Sequence, residues 1–214
     1  MTIMGAVIAF FQSGGVFMYP IVVVLALGIA IALERYWFLS LAQLRNRKAW
    51  SQVVPLLRGG KYQDAKRLVD ESGASVSTVL RYGLAKLSAA RRRDDLQMAM
   101  EEGLMEVIPR LEKRTHYLAT LANIATLLGL LGTIMGLIQA FTAVATANPA
   151  DKADMLSASI SVAMNTTAFG LMVGIPLLLI HAVLQTKSTQ LVDNMEMVLV
   201  KVVNLIGDQR QAAS

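Results

Sequence analysis

Cysteine is absent from the 214 residues, and with it go disulfides, thiolate metal sites and cysteine nucleophiles. The chain also lacks a metal-ligand cluster, a glycine loop leading to Lys-Ser or Lys-Thr, and a nucleophile–base constellation. An enzyme is therefore a poor reading, and nothing calls for a metal or cofactor. Charge is scarce as well, at 16% of residues, where a soluble domain carries about a quarter. The scarcity comes in blocks. Residues 1–33, 117–150 and 155–186 contain no Asp, Glu, Lys or Arg. A charge at mid-bilayer costs roughly 2.5–3.5 kcal/mol, so such tracts are what lipid selects. No basic residue precedes the first tract, which lacks the n-region of a signal peptide and is expected to be retained.

What the chain does contain is apolar residues, 55% of the total. A helix needs about 20 of them to cross a hydrocarbon core of about 30 Å. Residues 16–33 are just long enough. The other two tracts are too long for one upright crossing and too short for two with a turn, so each predicts one helix that tilts or projects into water. Of the 20 Lys and Arg residues, those from Arg35 to Arg114 predominate, three more follow the third span, and Lys152 alone separates spans two and three. The positive-inside rule then places 35–115 and the tail in the cytoplasm, and the amino terminus and 146–155 outside. Glu34, Arg35, Trp37 and Arg114 mark the membrane interface. Nucleic-acid binding is disfavoured by the insertion signal.

The expected fold is an all-α membrane protein with three transmembrane helices, two of them long and extending into a helical cytoplasmic domain. The predicted order is an outer interfacial helix (1–13), span one (14–38), the cytoplasmic domain (39–115), span two (116–147), an outer loop (148–156), span three (157–186) and a tail helix (187–214). Within the cytoplasmic domain, glycines predict separate short helices over 47–57, 62–71 and 77–90. Asp94-Asp95-Leu96-Gln97 resembles a capping box. From there helical spacing runs without a stop signal to residue 147, which predicts one continuous helix that Pro109 can bend.

Span two places Gly129, Gly132, Thr133, Gly136 and Ala140 on one face. Span three does the same with Ser159, Ala163, Thr166 or Thr167, Gly170 and Gly174. Small faces let helices approach closely in lipid, and packing within one subunit explains the glycines as well as a pore does. The threonines have two readings too: a hydroxyl satisfied on the carbonyl three or four residues back, or one lining a narrow polar path. Pro176 frees the carbonyl of Met172, as a kink or a polar contact.

These residues resemble the ExbB/TolQ/MotA family of bacterial proton-channel subunits, ExbB most of all. The similarity lies in Gly14-Gly15-Val16-Phe17-Met18-Tyr19-Pro20 through Glu34-Arg35, in Gly60-Lys61-Tyr62 with Ala65, in Leu127 through Thr133 with Gly136 and Phe141, and in Thr167-Ala168-Phe169-Gly170-Leu171 with Gly174-Ile175-Pro176. The resemblance implies a homo-pentamer in the bacterial inner membrane around a partner of the ExbD/TolR type. That partner's single span carries a proton-binding aspartate, and Thr133 and Thr167 face it. It also implies that proton flow energises a TonB-like protein for outer-membrane transport, or a TolQ-like envelope or motility motor. Val162 stands where some relatives carry a glutamate, which removes an acidic gate from this chain's own contribution.

The residues support the shared arrangement in one respect. A proton relay through lipid needs an ionisable group, and spans two and three offer none apart from His116 and His181, both near the cytoplasmic end. A conducting complex must take its carboxylate from another chain. The competing reading is a non-conducting scaffold whose small faces serve assembly alone. Basic residues Arg91-Arg92-Arg93, Arg110, Lys113 and Arg114 are topology determinants and headgroup contacts, or the lining of a cytoplasmic cavity or docking site.

Overall fold

A computed structural model describes residue 11, residues 14–87 and residues 93–213, without the side chains of 210–213. The expected outer helix 1–13 and Arg91-Arg92 lie outside the described residues. The regular elements described are six helices: α1 (Met18–Arg58), α2 (Tyr62–Glu71), α3 (Ser75–Lys86), α4 (Arg93–Glu112), α5 (Thr115–Thr146) and α6 (Lys152–Ala213). Three stretches, in α1, across α4–α5 and in α6, are long and apolar enough to cross a membrane.

Four expectations need correction. The first span and the helix expected over 47–57 are one element, the 41-residue α1. Residues 39–46 are mostly good helix formers with no glycine or proline, so nothing between the two stretches stops the helix. It ends where Gly60 adopts φ 68°, and the Lys61 amide donates back to the Leu56 carbonyl at 2.9 Å. The continuous helix from 95 to 147 is broken, and at Arg114 rather than Pro109. Arg114 has φ 65°, a left-handed conformation that an α-helix cannot pass through, while Pro109 is accommodated inside α4. The capping box does not form. The helix already begins at Arg93, and Gln97 donates forward to Glu101 at 2.8 Å. The link between α5 and α6 is also tighter than expected: Asp151 donates to the Asn148 carbonyl at 3.0 Å, and α6 starts at Lys152.

The chain divides into two compact units, residues 1–33 with 114–183 and residues 34–113 with 184–214. The first holds the apolar spans. In the most apolar stretch of each span only 22–28% of residues are buried within the chain. Its interior is built from small side chains, among them Ala122, Ala125, Ala140 and Ala163, with Met18, Ile21 and Leu177 filling the wider places.

The second unit has the water-facing pattern. Leu57, Val69, Leu80, Met100, Leu111, Met195 and Ile206 are buried, and the charged residues are mostly on the surface. Helices α3 and α4 touch closely at Gly103, where a Cβ would sit 3.0 Å from the Val79 Cα. Beside that contact the Tyr82 hydroxyl donates to Glu106 at 3.0 Å, a bond that raises the Tyr82 pKa. The side chain of Gln209 closes the end of α1, donating to the carbonyls of Leu57 at 3.2 Å and Arg58 at 3.0 Å. Tyr62 in turn donates to Gln209.

Candidate functional site

The small residues of α5 and α6 meet each other in antiparallel rungs. A Cβ added at Gly170 would lie 2.7 Å from the Ala125 carbonyl oxygen and 3.0 Å from the Gly129 Cα. One added at Gly129 would lie 3.2 Å from the Cα atoms of both Gly170 and Thr167. Further along, Gly132 faces the Thr166 side chain and Gly136 faces Ala163. In the other direction Gly174 sits against Thr126 and the Ala122 carbonyl. Backbones this close admit no side chain, which is why the sequence places glycine at each rung. The glycine faces thus belong to packing within one chain.

The three threonines singled out from sequence occupy different surroundings. Thr166 is 2% exposed. Its hydroxyl donates to the Val162 carbonyl at 3.0 Å and is within hydrogen-bond reach of the Gly14 carbonyl. Its methyl side packs on Gly132, so the structure places Thr166 in the helix contact rather than on an open face. Thr133 and Thr167 are partly exposed. Thr133 donates to the Leu130 carbonyl at 2.6 Å. Thr167 reaches across to α5 and donates to the Gly129 carbonyl at 2.9 Å.

The Thr167 and Thr133 hydroxyls thus bond the carbonyls of consecutive α5 residues, Gly129 and Leu130. Each hydroxyl has its proton committed to a backbone carbonyl. What remains on each oxygen is acceptor capacity. The pair can therefore accept a hydrogen bond from an acid or a water, and must give up a backbone bond before donating one.

Thr126 was missed from sequence. It lies seven residues, two helical turns, before Thr133 and so on the same face. It bonds the Ala122 carbonyl at 3.1 Å and touches Gly174; the spacing from Thr133 is the signal that points to it. Pro176 is exposed on α6. Among the expected interface residues, Trp37 is 76% exposed, whereas Arg35 is 3% exposed. Arg35 donates to the Leu111 carbonyl at the end of α4 and stacks over Phe38 with 4.8 Å to the ring centre. Glu34 and Arg114 are exposed, and Arg114 makes the helix break. No group of three or more His, Cys, Asp or Glu able to hold a metal ion occurs among the described residues.

Comparison with known proteins points in one direction. Residues 72–197 match the MotA/TolQ/ExbB proton channel family. The chain is 31% identical over 189 residues to a Synechocystis protein named ExbB-like 1, covering 86% of this chain and 72% of that one. It is 30% identical over 169 residues to the biopolymer transport protein exbB1 of Vibrio cholerae, covering 77% and 73%. A shorter similarity, 37% over 78 residues, joins it to the Tol-Pal system protein TolQ of Haemophilus influenzae, covering 36% and 34%.

Proposed function

Because the chain belongs to the MotA/TolQ/ExbB proton channel family, we propose that it is the multi-span subunit of an inner-membrane complex that couples the proton motive force to envelope work. In this reading it forms a pentamer around a single-span partner of the ExbD/TolR type, and the complex drives a TonB-like protein. The amino terminus lies in the periplasm and the carboxyl terminus in the cytoplasm.

The observation that carries the reading is the combination of two uncharged spans with Thr167 bonded across to the Gly129 carbonyl and Thr133 bonded to the adjacent Leu130 carbonyl. Residues 117–150 and 155–186 supply no carboxylate, so the titrating acid comes from the partner's helix. Beside that acid, hydroxyl oxygens with committed protons act as acceptors. They stabilise the protonated, neutral carboxyl, and in doing so raise its pKa. The acid is then held neutral while it crosses the apolar zone, and releases its proton on leaving the threonines.

Reconstitution with the natural partner tests this. Thr133→Val and Thr167→Val complexes are expected to assemble at normal mass and lose at least tenfold in proton flux into liposomes. Flux unchanged in both would remove the threonines from the path. Flux that persists after the partner's aspartate is neutralised would remove the partner. The competing scaffold reading is favoured by the glycine rungs, which are fully explained by packing, and predicts no partner-dependent flux at all.

A further inference from the structure

The unit of residues 34–113 and 184–214 carries two surfaces of opposite character. One is a groove of about 330 Å³ between α1 and α6, lined by Asn46, Arg47, Trp50, Asn194, Met197 and Lys201 among others. Its charged members are basic, and Met197 is 51% exposed at its edge. Asn46 uses its carbonyl oxygen to accept the Val76 amide at 3.1 Å. Its Nδ2 is buried without an acceptor among the described residues. The groove therefore presents cations, an unused donor and apolar walls.

The other surface is the outer face of α4. Asp94, Met98, Glu102 and Met105 recur at helical spacing on one side. Met98 is 60% exposed and Met105 71%, and Asp94 and Glu102 are exposed with them. Methionines in open water between carboxylates suit an apolar, cation-lined groove, and their flexible side chains adapt to irregular walls.

The two surfaces also stand at matching heights within the unit. At one end of α4, Arg93 flanks Gly207. At the other, Leu111 takes the bond from Arg35, and Lys187 bonds Ser40 at 3.3 Å nearby along α1. Interpolating between these contacts puts Met98 and Glu102 level with residues 194–201 of α6. Copies related by rotation about an axis along the helices share their heights, so the stripe of one copy and the groove of the next lie at one level. Two different patches that complement each other make a head-to-tail contact, the kind that closes into a ring.

We propose that the acidic methionine face of α4 in one copy of this chain docks into the α1–α6 groove of the next, with Glu102 toward Arg47, Asp94 toward Lys201 and Met98 against Met197 and Trp50. The inference rests on the homo-oligomer proposed above and assigns the contact within it.

The cysteine-free chain makes the test direct. Met98→Cys in one tagged copy and Met197→Cys in a differently tagged copy are co-expressed in membranes with the natural partner and oxidised with copper phenanthroline. The expected product is a mixed-tag dimer, at least tenfold more abundant than the dimer from either single variant alone. Glu102→Lys is expected to reduce it at least fivefold, and Arg47→Glu in the neighbouring copy to restore it. No mixed dimer from a complex whose intact mass is oligomeric overturns this interface and leaves the oligomer standing. A monomeric mass for the chain with its partner overturns the oligomer itself.

Discussion

At the scale of single residues, position decides role more than residue type does. Thr166 and Thr167 are neighbours with the same side chain, yet one is enclosed and the other reaches the Gly129 carbonyl from a partly open face. Sequence spacing alone leaves both open, because the helical face of a small-residue stripe is known only to within about one position. The Thr167→Ser substitution keeps the hydroxyl and drops a methyl, so flux is expected to stay within about threefold of the natural complex. Thr167→Val keeps the shape and drops the bond. Interhelical hydrogen bonds in membranes average about 0.6 kcal/mol, so its melting temperature in detergent should shift little while flux is lost. A large drop in melting temperature for Thr167→Val would mark the residue as structural instead.

Gly170 provides the opposite case. A methyl there meets the Ala125 carbonyl oxygen at 2.7 Å and the Gly129 Cα at 3.0 Å, and backbone atoms cannot swing aside. Gly170→Ala forces α5 and α6 apart, at an expected cost of about 1–3 kcal/mol for overpacking. Thermal unfolding of the detergent-solubilised chain measures it. Gly73→Ala is the control, since its Cβ meets nothing within 4 Å, and it is expected to leave unfolding unchanged. Arg35 shows what sequence could not convey. A cation at the end of an apolar run reads as an interface anchor, but its partner is a carbonyl 76 residues away. Nothing local in the sequence signals that bond.

At the scale of elements, existence was legible and continuity was not. Charge-free tracts announce the spans because lipid excludes charge over a length the bilayer fixes, and α2 occupies the predicted 62–71. The errors fall at junctions. Span one was expected to end at residue 38 and a separate helix to follow over 47–57, yet α1 runs through both to Arg58. Conversely, α4 and α5 part at Arg114, a residue type that rarely takes φ 65°, so no sequence signal marks the break. The candidate site divides in the same way. The rungs of glycine could be chosen from spacing and Thr133 and Thr167 from the family resemblance, while the bond from Thr167 across to the Gly129 carbonyl could not.

The end of α1 carries its own prediction. The last carbonyls of a helix need partners, and here the side chain of Gln209 supplies two bonds while Tyr62 steadies it. Gln209→Ala is expected to cost about 1–2 kcal/mol. The loss should be local, with faster amide exchange at residues 59–62 and at the end of α6 while α5 stays protected. Uniform exchange changes throughout the chain would show that the cap has no local role.

At the scale of the whole molecule, the distribution of charge does two things. It separates an apolar unit from a charged one, and it sets the direction of insertion. The 20 basic residues are almost all in or beside the second unit; the link between α5 and α6 holds none, and Lys152 follows it at the start of α6. A positive potential drop opposes moving Lys and Arg outward, so residues 34–113 are expected to stay in the cytoplasm and the 147–151 link to reach the periplasm. The absence of cysteine makes this measurable without background. Ala150→Cys and Gln52→Cys both fall at exposed positions. In intact cells with a permeabilised outer membrane, an impermeant maleimide is expected to label Ala150→Cys fully and Gln52→Cys only after lysis. The reverse pattern would invert the topology. It would also place the Arg47 and Lys201 groove on the periplasmic side, where the positive-inside argument does not allow it.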